Sequence, residues 1–178
     1  MERLAETVIV PAGPGDAAAL ADVHVQCWRE TYAGLLPADY LDRMSAPIHA
    51  ARWRRQLTRA RPDEVVLAAE GPHGLTAYCT GSVPGSASGE AEVFTLYLLK
   101  SVQGYGLGRR LFGTTVRALE AQGAETLKVW VLNGNERAMG FYAHLGGAPA
   151  EQRRVAGWGG TLRETAYRWS AIGRLTAR

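Results

Sequence analysis

Apolar positions along the chain recur in two rhythms, one of period two and one near 3.6. The run Val8-Ile9-Val10 predicts a first strand, and the turn at 11–15 leads to a helix capped near Asp16. Leu20, Val23, Cys27 and Tyr32 then fall at spacings near three and four, which predicts an amphipathic helix over 16–33, broken by Gly34 and Pro37. A short helix starting at Pro37 would carry Tyr40, Leu41 and Met44 on one side, and a further one over 47–59 would carry Ile48, Trp53 and Leu57. Residues 64–70 and 75–83 read as antiparallel strands about the turn Gly71-Pro72-His73-Gly74, with a Gly- and Ser-rich loop at 84–89. Next come a strand over 90–99, a helix over 106–121, a strand over 125–132 and a helix over 135–145 closed by Gly146-Gly147. Two last strands, 153–156 and 162–170, flank the turn at 157–160. No internal repeat breaks this order.

Bulk properties fit one ordinary domain spanning 1–178: 178 residues, 47% hydrophobic and 21% charged. The net charge of +3 is scattered, so nucleic acid is not an expected partner, although a mildly positive field suits an anionic ligand. Cys27 and Cys79 lack metal-ligand or C-x-x-C spacing and read as reduced core thiols. The four histidines, at 24, 49, 73 and 144, form no ligand spacing, so no metal is expected. Neither a signal-peptide pattern nor a membrane-length apolar run is present, which predicts a cytoplasmic protein without membrane association.

The most informative segment is Gln103-Gly104-Tyr105-Gly106-Leu107-Gly108, between a strand-like run and an amphipathic helix. Glycines at 104, 106 and 108 permit positive φ and close approach, so consecutive amides can converge on an anion at the positive end of the helix. A dinucleotide fingerprint beginning at Gly104 or Gly106 would put its third glycine at Arg109 or Leu111, and no Gly-Lys-Ser/Thr follows for a Walker loop. A plain strand-to-helix turn is the alternative.

Upstream stands Glu92-Val-Phe-Thr-Leu-Tyr-Leu-Leu99, and downstream Asn135-Glu-Arg-Ala138-Met-Gly-Phe141-Tyr142. The pairing Q-x-x-G-x-G with N-x-x-A-x-x-F-Y, about 30 residues apart, resembles the GNAT superfamily of acyl-CoA-dependent N-acyltransferases. That resemblance implies an α/β (α+β) fold with a mixed, centrally splayed sheet flanked by helices, and acetyl-CoA as co-substrate.

It also assigns roles. The loop Gln103, Gly104, Tyr105, Gly106, Leu107, Gly108 and Arg109 would hold the CoA pyrophosphate, with Arg109 and Arg110 as supporting charge. Asn135 would meet the pantetheine arm, Asn133 being an alternative turn residue, and the Leu98 amide would meet the acyl carbonyl. Tyr142 would reach the sulfur and serve the leaving thiolate. Glu92, eleven residues before Gln103, matches the general base of one GNAT subset. A carboxylate inside an apolar strand is costly unless paired or wet, although Glu90 lies one strand period away and an exposed strand-start glutamate would look the same.

His24, Trp28 and Tyr32 repeat every four residues on the first long helix, either lining the acceptor pocket or forming a core stripe with satisfied polar tips. The segment Trp28-Arg-Glu-Thr-Tyr32-Ala-Gly-Leu-Leu-Pro37 is similar to a bacterial GNAT subgroup containing polyamine acetyltransferases. The resemblance thus implies direct acetyl transfer to a primary amine, the acceptor being a small molecule or a peptide. Acetylation of a protein N-terminus or lysine is the second reading, and a CoA-binding regulatory module without turnover the third. A homodimer stays open.

Overall fold

The computed structural model describes residues 7–59, 61–85, 89–157 and 160–176. Seven strands form one sheet in the order β1-β2-β3-β4-β5-β7-β6: β1 Val8–Pro11, β2 Glu64–Gly71, β3 Gly74–Ser82, β4 Glu90–Leu98, β5 Thr126–Leu132, β6 Ala148–Gly157 and β7 Gly160–Trp169. Every neighbouring pair is antiparallel except β4 and β5, whose parallel pairing needs a helical crossover. The helices are α1 Ala17–Thr31, α2 Ala38–Asp42, α3 Ala46–Thr58, α4 Leu107–Ala121, α5 Glu136–His144 and α6 Gly173–Thr176.

Burial follows the periodicities. On α4, Leu107, Leu111, Phe112, Val116 and Leu119 bury one stripe against Leu67, Cys79, Val93, Leu127 and Val129 of the sheet. On the opposite face Leu20, Ala21, Val23 and Cys27 of α1 pack with Trp53 and Leu57 of α3 over Ala68 and Tyr78. Leu41 and Met44 join Val25, Leu36 and Leu132 in a third cluster. Both cysteines are free and buried.

Several local expectations change. Asp16 stands at the N-cap of α1 as expected, but its side chain does not bond to the helix amides; it ends a 3₁₀ turn, Pro14–Asp16, and its carboxylate accepts the Gly13 amide at 2.8 Å. Ile48 is 56% exposed, because the buried stripe of α3 runs through Trp53 and Leu57 only. β6 begins at Ala148, earlier than the apolar pattern suggested, since its edge residues are nearly all exposed and carry no alternation. Part of the glycine turn at 157–160, namely Trp158 and Gly159, and Ser86 to Ser88 of the preceding loop lie outside the described residues.

The feature that positions the site is a local failure of pairing. β4 and β5 are in register from Glu90↔Thr126 to Val93↔Val129 and no further, whereas β4 stays paired with β3 to Leu98 and β5 with β7 to Leu132. The two strands therefore part after Val93. A β-bulge accompanies the opening: Gly81 pairs with Val93 and Thr80 with Thr95, leaving Phe94 as the extra residue. The bulge inverts the alternation, so Ala91 and Val93 before it and Leu96 and Leu98 after it pack into the same α4-side cluster. Gly81 is required there, because a Cβ would lie 2.9 Å from the Glu92 carbonyl oxygen and 3.1 Å from Leu119.

Candidate active site

The gap between β4 and β5 opens into a cavity of about 730 Å³, within the range of small-molecule sites. One end is made of main chain. Gly104 and Gly106 have φ of 85° and 84°, and at both a Cβ would meet nothing within 4 Å, so this left-handed backbone fronts open space. Arg110 is the first α4 amide to bond back, to the Gly106 carbonyl at 3.1 Å. Among the described residues, the amides from Gly104 to Arg109 make no main-chain hydrogen bond, so they form a cluster of donors at a helix N-terminus. Gly108 differs from expectation: it is helical, and its missing Cβ would sit 3.6 Å from Leu98 and 3.7 Å from Phe141, so it permits close packing instead of a turn.

Gln103 secures the loop to the strand, its side-chain amide donating to the Leu98 carbonyl at 2.7 Å. The Leu99 amide donates to the Thr76 carbonyl of β3 at 2.9 Å, and since amide directions alternate along a strand, that of Leu98 points to the other edge, into the gap. Asn135 caps α5, its Oδ1 accepting the Ala138 amide at 3.2 Å, which leaves its NH₂ available on the cavity wall. Asn133 instead ties β5 to β7 by accepting the Thr165 hydroxyl at 2.7 Å. At the far end of α5 the Gly146 and Gly147 amides bond to the Ala143 and Tyr142 carbonyls in a Schellman arrangement.

Tyr142 is held in a ring cluster with Phe112, Phe141, Tyr167 and Trp169, at centroid separations of 5.6, 5.1, 6.3 and 6.1 Å. It is 6% exposed yet lines the cavity, and burial pushes its pKa well above the ordinary phenol range, so the hydroxyl remains protonated.

The structure thus brings Leu98, Gln103, Gly104, Gly106, Gly108, Arg109, Asn135 and Tyr142 to one cavity, with Trp28 and Tyr32 of α1 across from them. The Tyr105 side chain is 67% exposed and that of Leu107 is buried in the core, so both residues present only their amides. Arg110 turns away and donates to the Thr7 carbonyl at 3.2 Å.

Two expected side chains are not on the cavity wall. Glu92 lies before the bulge, in the part of β4 still paired with β5, where its carboxylate is 3.5 Å from Lys128 Nζ, its register partner. Glu90 is held there too, by Lys128 at 3.2 Å and by Arg168. His24 sits behind Trp28, its Nδ1 within 2.6 Å of the Tyr78 hydroxyl and its ring 4.4 Å from His49. Burial, then the His49 and Arg52 charges, lowers its pKa from 6.5 to about 4, which marks it as a neutral core histidine.

One cavity residue escapes sequence reasoning altogether. Glu164 of β7, 14% exposed in its side chain, lines the cavity and accepts Arg153 Nε at 2.7 Å. Nothing in its local sequence marks it; only the antiparallel pairing Leu132↔Glu164 carries it to the gap.

A mixed sheet splayed at its parallel pair, with a cluster of unpaired main-chain amides at one lip and a buried phenol within, is the frame in which the comparisons with known proteins fall. Residues 19–147 match the Acetyltransferase (GNAT) family, and the chain belongs to it. It is an acyl-CoA-dependent acetyltransferase. Among its relatives is the uncharacterized N-acetyltransferase YuaI of Bacillus subtilis, 26% identical over 159 residues that cover 88% of each chain. Two solved structures share the fold. PaiA N-acetyltransferase of Thermoplasma acidophilum, in complex with coenzyme A, has a TM-score of 0.68 at 18% identity over 92% of this chain and 99% of its own. Salmonella typhimurium yncA, solved with its cofactor acetyl-CoA, has a TM-score of 0.67 at 20% identity over 92% of each chain. No helix among the described residues is long and apolar enough to cross a membrane.

Proposed function

We propose that this chain transfers an acetyl group directly from acetyl-CoA to a primary amine of a small molecule, both substrates being bound at once. The observation that carries the reading is the parting of β4 from β5 after Val93, which gives one continuous cavity with main-chain donors at one end and side-chain walls at the other. Its residues fit the donor. Open left-handed glycines and free amides suit a pyrophosphate, and the gap between two strands suits a narrow pantetheine arm.

Four parts of the chain then have work in the transfer. The amides of Gly104 to Arg109 hold the phosphates, with Arg109 adding charge. Asn135 fixes the arm through its free NH₂. The Leu98 amide donates to the acetyl oxygen as negative charge develops on it, an oxyanion site of one donor. Tyr142, kept protonated by burial, hydrogen-bonds the sulfur and gives it a proton as the C–S bond breaks and the N–C bond forms. Direct transfer is supported by the thiols: Cys27 and Cys79 lie outside the cavity lining, and burial pushes both up to about 12, so neither is a ready nucleophile.

The test is release of free CoA thiol from acetyl-CoA with a panel of aliphatic amines, amino-acid amides and lysine peptides. Turnover with small amines is the expected result. Turnover confined to peptides would move the acceptor to a protein, and a covalent acetyl-cysteine trapped before amine is added would overturn direct transfer.

A further inference from the structure

We propose that Glu164 receives the acceptor's ammonium group and takes the proton it sheds, so that the acceptor is an amine carried as a cation on an apolar chain. This deepens the reading above and rests on it. Among the described residues Glu164 is the only acidic side chain lining the cavity; on β7 beside Leu132 and near Tyr32 it lies towards α1, whereas the glycine loop opens α4 on the other face of the sheet. The cofactor end is the reverse in sign, carrying Arg109, Arg137 and the free amides. A cationic acceptor entering such a cavity is repelled from one end and drawn to the other, which sets its orientation before any contact is made.

The carboxylate's surroundings already practise this recognition. Arg153 donates its Nε to Oε2 of Glu164 at 2.7 Å while its guanidinium lies over the Trp130 ring, 4.1 Å from the centroid. A carboxylate beside an aromatic face therefore binds one cation here, and Oε1 makes no hydrogen bond among the described residues. The rings of Trp28 and Tyr32, also on the cavity wall, offer apolar and π surface for a chain bearing the charge. The competing carboxylates, Glu90 and Glu92, sit with Lys128 in the closed part of the sheet, off the cavity wall. In the step itself Glu164 takes one proton from the ammonium, which frees the lone pair that forms the N–C bond; the C–S bond breaks as the sulfur takes the Tyr142 proton, and the second N–H proton, shed by the acylated nitrogen, restores the phenol.

The experiment compares wild type, Glu164→Gln, Glu164→Asp and Glu92→Gln, using whichever of hexylamine, 1,6-diaminohexane, an amino-acid amide or a lysine peptide wild type acetylates fastest. Glu164→Gln should raise the amine KM at pH 7.5 by about 10-fold or more, with CoA affinity within about two-fold of wild type. That deficit should shrink as the pH rises through the amine's own pKa, about 10.4 for an alkylammonium, because a neutral amine needs no carboxylate, and aspartate should recover part of it. Glu92→Gln should stay within about three-fold of wild type, its carboxylate being off the cavity wall. An unchanged amine KM in Glu164→Gln, a deficit that does not vary with pH, or the loss appearing in Glu92→Gln instead would overturn the inference and leave amine acetylation standing. If wild type acetylates none of the four, amine transfer fails and the inference fails with it.

Discussion

At the glycine-loop end of the cavity the chain presents backbone: six consecutive residues, two of them glycines in left-handed conformation, whose unpaired amides lie together because the sequence is contiguous. At the other end it presents side chains from separate elements, Trp28 and Tyr32 from α1, Trp130 from β5 and Glu164 from β7, the last two brought together by the sheet order that places β7 beside β5. A main-chain site constrains residue types at fixed spacing, since only glycine tolerates the φ and the close approach. A side-chain site constrains positions in space and leaves the local sequence free. On the function proposed, cofactor recognition is thereby written into a short motif, while acceptor recognition is distributed.

The largest expected effect breaks the backbone end. Gly106→Val places a β-branched side chain at φ 84° in the space where the phosphates would lie, so CoA affinity should fall by up to about 10³-fold, the loss of one or two charge-assisted hydrogen bonds. Calorimetric titration of the folded variant checks it, and wild-type affinity would remove the loop from the site. Tyr142→Phe separates holding from chemistry: the maximal rate should drop by roughly 10²-fold with CoA affinity within a few-fold. An unchanged rate with the true acceptor would strip the phenol of its role.

Between the two ends stands the bulge. Gly81→Ala drives a Cβ to 2.9 Å from the Glu92 carbonyl, a backbone atom with little room to yield, so stability should fall by about 1–3 kcal/mol in urea denaturation. A variant as stable as wild type would mean that the bulge adapts freely and does not fix where the strands part.

The most gradual effect concerns His24, a half-buried residue that the structure leaves off the cavity wall. Its folded pKa of about 4 lies below the unfolded 6.5, so between those values the unfolded chain binds the extra proton and the folded one does not. Its contribution to stability is intact above pH 6.5 and declines as pH falls towards 4, by at most about 1.4 kcal/mol per pH unit. Denaturant titrations at stepped pH should show that component in wild type and lose it in His24→Gln. An identical acid limb in both would place the ring in water.

This difference between the ends also explains what the sequence makes legible. Element order, the glycine loop, Asn135 as the start of α5 and Tyr142 on it all follow from local periodicity and motif spacing. The position of Glu92 does not, because alternation read from Glu90 onward runs through Phe94, where the bulge inverts it. His24 shares a helical stripe with Trp28 and Tyr32 but points at Tyr78, a partner 54 residues away that no helical spacing reveals. Glu164 sits between Arg163 and Thr165 and reads as an ordinary solvent-side strand residue until β7 is laid against β5.

The claim that the cofactor is gripped by main chain in the gap between β4 and β5 is tested most directly by amide hydrogen exchange with and without acetyl-CoA. The amides of Gly104 to Arg109 and of Leu98 should exchange more slowly when acetyl-CoA is bound, with Leu98 less protected by CoA lacking the acetyl group, while the β1–β2 and β6–β7 ladders should stay as they are. Protection that bypasses both the loop and Leu98 would contradict the account.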